Sequence, residues 1–225
     1  KIKYFLSNIK KDVCKDFQSP KLRQILQFPV LFLGAKPSKT PSFYNFMNYA
    51  DFGLGTWHPE KGMYSIVLAM VKLAKSLGVK FHTDSEVEKI CVDTGGRVKG
   101  IYIKNKLGEA DIVLSGADYH HTENLLEPNY RRYSEAYWDK KTFAPSSLLF
   151  YIGLDKKIKN VSHHTLFFDV DFDEHANSIY DNPSWPKNPL FYACCSSKTD
   201  MGAAPEGKEN LFLLVPISAG IHDND

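Results

Sequence analysis

The sequence has little that would commit it to a membrane, to nucleic acid or to a metal. No apolar run approaches the ~18 residues of a spanning helix, and no leader peptide is recognisable. Lysine and arginine number 28 against 26 aspartates and glutamates, a net charge of +2 with no basic footprint for nucleic acid. The four cysteines, Cys14, Cys91, Cys194 and Cys195, form no C-x-x-C pair, so a disulfide framework is not expected and a reducing compartment is the default. His120-His121 and His163-His164 are adjacent pairs, and neighbouring side chains on a strand diverge, so no metal site is expected at either. Asp169, Asp171, Asp173 and Glu174 lack the glycine and terminal glutamate of an EF-hand and read as solvated acids.

Nucleotide motifs are missing as well. Gly53-Leu-Gly55-Thr-Trp-His58 lacks the third glycine of G-x-G-x-x-G and follows an aromatic segment instead of a strand. Ala204-Pro-Glu-Gly-Lys208 lacks the spacing of a P-loop, and Glu209 stands where a magnesium-binding hydroxyl belongs. No Ser/His/Asp or Cys/His set can be paired by spacing, so the catalytic residues are unknown from residue chemistry. There is no internal repeat. Lys1 stands where a methionine would open a gene, and the chain reads as a piece of a longer protein.

Aromatic residues are plentiful, with 15 Phe, 12 Tyr and 3 Trp among 225 residues, and 43% of the chain is hydrophobic. That suits a core, or a wall, built around something large and apolar. Ile2, Phe5, Leu6, Ile9, Val13 and Phe17 place an apolar face on a helix over 2–17. Ser19-Pro20 starts a second helix ending near Gln27, and an aromatic-dense helix is predicted over 41–52. The clearest helix covers 62–77, where Met63, Ile66, Val67, Met70, Val71, Ala74 and Leu77 form one stripe before Gly78.

The period then changes to two. Strands are expected at 79–83, 87–92 and 98–103, with a tight turn at Asp93-Thr-Gly-Gly96, a further turn at Gly108 and a buried strand over 110–114. Residues 119–139 look helical. Four more strands are expected at 145–154, 164–168, 190–195 and 211–215.

The order of these elements, more than any single motif, carries a likeness. Gly55-Thr-Trp-His-Pro-Glu-Lys-Gly62-Met63 with its helix, Gly78-Val-Lys-Phe-His-Thr83 and Ser85-Glu-Val-Glu-Lys-Ile90 closely resemble the central region of bacterial phytoene desaturases, FAD-dependent enzymes of the amine-oxidase-like superfamily. Ala144–Gly153, His163–Phe168 and Ala204–Phe212 look like the substrate-domain strands of the same family. The likeness covers most of the chain. Its main departures are Lys61 in place of the first glycine of a P-x-G-G-like turn, and the absence of the family's Rossmann strand-turn-helix and its C-terminal FAD motif.

The resemblance implies an α/β fold of α+β mixed type. Residues 56–118 would be a fragment of the FAD-binding domain with an antiparallel meander. Residues 1–55 and 119–225 would form a substrate domain with a mixed sheet and flanking helices. Val87, Ser115, Gly116 and Ala117 would lie against FAD, and Trp57, Gly62 and Met63 near the flavin or a polyene substrate. The parent enzyme would desaturate a carotenoid precursor such as phytoene by hydride transfer to FAD, while the fragment itself, lacking the phosphate site, would hold no FAD and be inactive. A cytoplasmic, peripheral membrane location follows from such a substrate, with the apolar faces of 2–17 and 41–52 as contacts. Apolar surface left uncovered by the missing sheet would favour oligomers. The alternatives are a carotenoid isomerase, a retinoid saturase or another amine-oxidase-like flavoenzyme, a non-catalytic module binding an apolar ligand or a protein, and a plain structural α+β domain.

Overall fold

The structure is a computed structural model and describes residues 3–141 and 144–222. Lys1 and Ile2 lie outside the described residues. The chain divides into two compact units, Lys1–Lys72 with Phe143–Asp225, and Leu73–Thr142.

The amino-terminal helix is interrupted. Helix α1 (Lys3–Leu6) stops and α2 (Ile9–Asp16) begins anew, because Asn8 takes an extended conformation and its side chain accepts the Lys11 N–H at 2.8 Å. The break lets Ile9 N–H donate to the Thr40 carbonyl and Ser42 N–H to the Ser7 carbonyl, both at 3.0 Å. Ile9 and Val13 are buried with Val30 in a small core, whereas Phe5 and Leu6 are exposed. Helix α3 (Pro20–Gln27) opens on proline at its first turn, as expected. A 3-10 turn over Phe28–Leu33 follows. The predicted 41–52 helix is a chain of three tight pieces: a 3-10 turn over Ser42–Asn45, α4 (Phe46–Asn48) and a π-helical turn over Tyr49–Leu54 that ends at Gly55, φ 81°.

Helix α5 (Tyr64–Ser76) forms where the stripe predicts it, and Gly78 closes it with φ 84°. None of its residues is buried. The stripe identified the helix correctly but not a covering partner within the described residues. Residues 79–83, expected from alternation, and 110–114, expected as a buried apolar strand, form no strand: Val79 and Phe81 are about half exposed, and Ile112 and Leu114 are 84% and 94% exposed. Alternation gives a segment two faces. A strand also needs a neighbour along its length for its N–H and C=O groups, and past the Ala110 N–H, which donates to the Lys99 carbonyl at 3.1 Å, the described residues form no ladder there.

Strands β1 (Lys89–Val92), β2 (Val98–Ile103) and β3 (Lys106–Glu109) make the expected antiparallel meander. Asp93 closes the first turn by accepting the Gly95 and Arg97 N–H groups at 2.9 Å. The second turn is not at Gly108, which pairs with Ile101 inside β3. It is at Lys104-Asn105, both with positive φ (49° and 59°), the backbone a two-residue hairpin requires. The 119–139 helix is also broken, into α6 (Tyr119–Asn124) and α7 (Glu135–Trp138), because Pro128 forces Glu127 into an extended conformation and starts a 3-10 turn.

The second sheet has strands β4 (Ser146–Leu154), β5 (His164–Phe167), β6 (Phe191–Cys194) and β7 (Glu209–Ile217) in the order β4-β7-β6-β5. Every pairing in it is antiparallel, so it is not the mixed sheet expected. Between β5 and β6 lies α8 (Phe172–Tyr180), which the sequence reading missed. Asp171 caps it by accepting the Glu174 N–H at 2.9 Å, and Asp173 pairs with Lys10 at 2.7 Å, so these acids are structural rather than merely solvated. Phe172, Ala176 and Leu190 form a buried cluster, with Phe28 set edge-on against Phe168 at 4.9 Å.

Candidate functional site

The register of the four-stranded sheet decides which side chains share a face. His164 pairs with Cys194, Leu166 with Tyr192, Tyr192 with Leu214, and Cys194 with Phe212, so these residues project to one side. Three cavities run along the unit that carries them. The first, of about 280 Å³, is lined by Phe28, Gly34, Phe168, Phe191, Tyr192 and Leu214 among others. The second, of about 630 Å³, shares Phe28 and Tyr192 with it and adds Phe46, Met47, Ala50 and Leu166. The third, of about 660 Å³, shares Thr56 and His164 with the second and is polar: Trp57, His58, His163, Thr199 and Asp200 lie in its wall. The result is a row that begins apolar and ends among histidines. A long ligand with an apolar body fits that sequence of walls.

The polar end is closely connected. His163 and His164 have ring centroids 4.3 Å apart, and His58 lies 4.6 Å from His163. His58 Nε2 sits 3.5 Å from an Asp200 carboxylate oxygen. Burial pushes the pKa values of His163 and His164 down, and the neighbouring imidazoles add to the effect. The expectation that adjacent histidines diverge does not hold here. His163 precedes β5, which begins at His164, so strand alternation does not apply to the pair.

The residues singled out from sequence fall into both units. Trp57 lines the polar cavity, is 87% exposed, and its Nε1 donates to the Leu54 carbonyl at 3.1 Å. Gly62 closes a turn with its N–H on the Pro59 carbonyl at 3.0 Å, and Met63 follows it, exposed; neither lines these three cavities. Val87 belongs to the other unit, in the extended approach to β1, where Glu88 N–H donates to the Tyr102 carbonyl at 2.9 Å. Ser115, Gly116 and Ala117 are exposed at the entry to α6 in that same unit. There Ser115 Oγ accepts the Ala117 N–H at 3.2 Å and lies 2.7 Å from Thr122 Oγ1. Ile90 N–H bonds the Leu125 carbonyl at 2.8 Å, tying β1 to the end of α6. The groove residues Phe28, Leu166, Tyr192 and Leu214 were not foreseen, because they come from distant segments and only strand register unites them.

The model of the flavin-containing amine oxidoreductases matches residues 5–222. The chain belongs to that family. It is 43% identical over 213 residues to a carotenoid 3,4-desaturase of Haloarcula japonica, covering 93% of this chain and 42% of that protein. It is 33% identical over 208 residues to a zeta-carotene-forming phytoene desaturase of Myxococcus xanthus, covering 92% and 40%. A solved oxidoreductase of Methanosarcina mazei shares the fold, with TM-score 0.64 at 19% identity over 95% of this chain and 48% of that one. The chain thus spans about two fifths of the length of the curated relatives it matches.

Membership of a flavin family raises the question of where a dinucleotide would be held. A pyrophosphate is cradled by a glycine turn between a strand and a helix N-terminus. Among the described residues no such unit occurs. The longest helix, α5, follows the turn at Pro59–Gly62 and no strand. These residues do not fit the phosphate portion of a flavin dinucleotide.

Proposed function

We propose that this stretch forms the substrate-side portion of an FAD-dependent carotenoid desaturase, and that the chain alone is inactive. The carrying observation is the pair of adjoining cavities over the β5-β6-β7 face, which share Phe28 and Tyr192 and are apolar from Phe28 to Leu166. A polyene has no groups for hydrogen bonding along its length, so aromatic and aliphatic walls are the means of seating it and excluding water. The redox chemistry belongs to the flavin of the parent enzyme. What these residues do is bind and orient the chain. Two relatives, a carotenoid 3,4-desaturase and a phytoene desaturase, are named for carotenoid substrates, and the groove supports the same substrate class here.

Val87 and the Ser115–Ala117 entry would approach FAD in the assembled enzyme, and Trp57, Gly62 and Met63 would lie toward the substrate. A peripheral membrane contact in a cytoplasmic enzyme is supported by exposed Phe5, Leu6, Phe46, Tyr49 and Phe52, with Phe5 stacked on Phe43 at 4.9 Å. No helix among the described residues is long and apolar enough to cross a membrane. The uncovered apolar face of α5 would be met by further chain or by a second copy.

The test is conversion of phytoene, and of carotenoids already partly desaturated, by a protein carrying this stretch within a full flavoenzyme. Leu166→Arg places a charge in the groove and is expected to lower conversion at least tenfold without loss of bound flavin. Unchanged conversion by that variant would refute the groove assignment. A yellow, flavin-bound preparation of the chain alone would refute its proposed inactivity.

A further inference from the structure

The histidine end of the cavity row contains more than a polar wall. One nitrogen of His163, one of His164 and the Cys194 sulfur all lie within 4.8 Å of one another. His164 and Cys194 face each other across the β5-β6 ladder, and His163 is brought in by the chain just before β5. Each imidazole has one nitrogen engaged: His163 Nδ1 with the Thr199 hydroxyl and His164 Nδ1 with the Tyr192 hydroxyl. In metal-binding histidines one ring nitrogen is commonly held by an outer partner of this kind while the other ligates the ion. His163 Nε2 is buried and has no hydrogen-bond partner. A buried imidazole nitrogen left unpaired is costly, and a cation would satisfy it.

We propose that His163, His164 and Cys194 bind a divalent transition-metal ion of the zinc type, with a fourth position open to the cavity. Two imidazoles and a thiolate match a borderline-soft ion and do not match calcium or magnesium. Closing a tetrahedral site requires the donors to move inward by less than about 1 Å. Two of the three side chains sit on paired strands, so rotation of rings and sulfur supplies that movement. Binding converts the Cys194 thiol to a thiolate: the S–H bond breaks, a sulfur–metal bond forms, and the proton passes to solvent. His58, with its own Nε2 buried and without a hydrogen-bond partner, stands beside His163 and would shield the ion. The proposal is independent of the carotenoid reading, and its test uses neither polyene nor flavin.

The experiment is titration of the reduced, chelator-treated chain with Co²⁺ alone, followed by displacement with Zn²⁺. One equivalent of Co²⁺ is expected to give a thiolate-to-cobalt charge-transfer band with tetrahedral visible bands, both erased by one equivalent of Zn²⁺. Cys194→Ser should remove the charge-transfer band, and Cys91→Ser should keep it. Thr199→Val should weaken binding roughly tenfold. Zn²⁺ should also protect Cys194, and not Cys14, from alkylation, a reading that needs no variant to fold. Absence of the band, its persistence in Cys194→Ser, or equal alkylation of Cys194 with and without Zn²⁺ would overturn the site.

Discussion

His175 Nδ1 accepts the backbone N–H of Leu190 at 3.0 Å. Its Nε2 meets the Pro216 carbonyl at 2.8 Å, so one buried imidazole links α8, the approach to β6, and β7. An N–H facing Nδ1 and a carbonyl facing Nε2 fix the neutral tautomer protonated at Nε2. Burial pushes the His175 pKa down from its ordinary 6.5, as that arrangement requires.

Removing the ring leaves the Leu190 N–H and the Pro216 carbonyl without a partner and opens a hole beside Ala176 and Leu190. His175→Ala is therefore expected to cost about 2–4 kcal/mol in urea unfolding. The same group sets a pH dependence. Because the folded state disfavours the imidazolium, the unfolded chain binds more protons below 6.5. The contribution of His175 is thus complete above that value and is lost as the pH falls toward the folded pKa. Urea midpoints measured from about pH 8 to about pH 5 should drop, and drop less in His175→Gln.

Lys61 adopts φ 66° in the turn closed by Gly62. A side chain there carries a left-handed backbone penalty that glycine escapes, at some entropic cost. Lys61→Gly is expected to raise stability by about 0.5–1 kcal/mol, read from thermal or urea unfolding. Lys61→Ala should show no such gain.

Gly100 pairs across β2-β3 with φ 143°, and a Cβ there would lie 2.0 Å from the Gly108 carbonyl oxygen. Backbone cannot yield as a side-chain tip can. Gly100→Ala should cost about 2–3 kcal/mol and speed amide exchange across the meander, while Gly116→Ala, in open space, should not.

Glu209 is a buried carboxylate that accepts the Ile158 N–H and pairs with Lys198, both at 2.6 Å. The Lys198 ammonium holds its pKa below the usual carboxylate value. Its stabilising effect is present above the unfolded pKa and lost as acid protonates the folded form. Glu209→Gln should therefore unfold at lower urea concentration near neutral pH, and the difference from the natural chain should shrink in acid.

Local pattern revealed much of the fold and little of the site. The α5 stripe, the Asp93–Gly96 turn and the strands of the second sheet were legible because each is a short-range signal, a period or a turn residue. Residues 79–83 and 110–114 read as strands yet form none, because neither alternation nor an apolar run says whether a partner strand exists. Helix α8 was hidden among acids, although Asp171 three residues before Glu174 is a capping spacing that could have disclosed it. The Lys104-Asn105 turn was overlooked in favour of Gly108, the more familiar turn residue. The groove depends on register: Tyr192 meets Leu166 on one side and Leu214 on the other only once three strands are aligned. The His163–His164–Cys194 cluster depends on where β5 begins, and no spacing rule marks that residue.

In the function proposed, the Phe28–Leu166–Tyr192–Leu214 groove seats a polyene. It is tested most directly by offering the purified chain a coloured carotenoid in detergent micelles and measuring pigment that co-elutes with protein. Saturable binding near one pigment per chain is expected, lost in the correctly folded Leu166→Asp, Leu214→Asp double variant. No retention by the natural chain, or equal retention by the double variant, would contradict it.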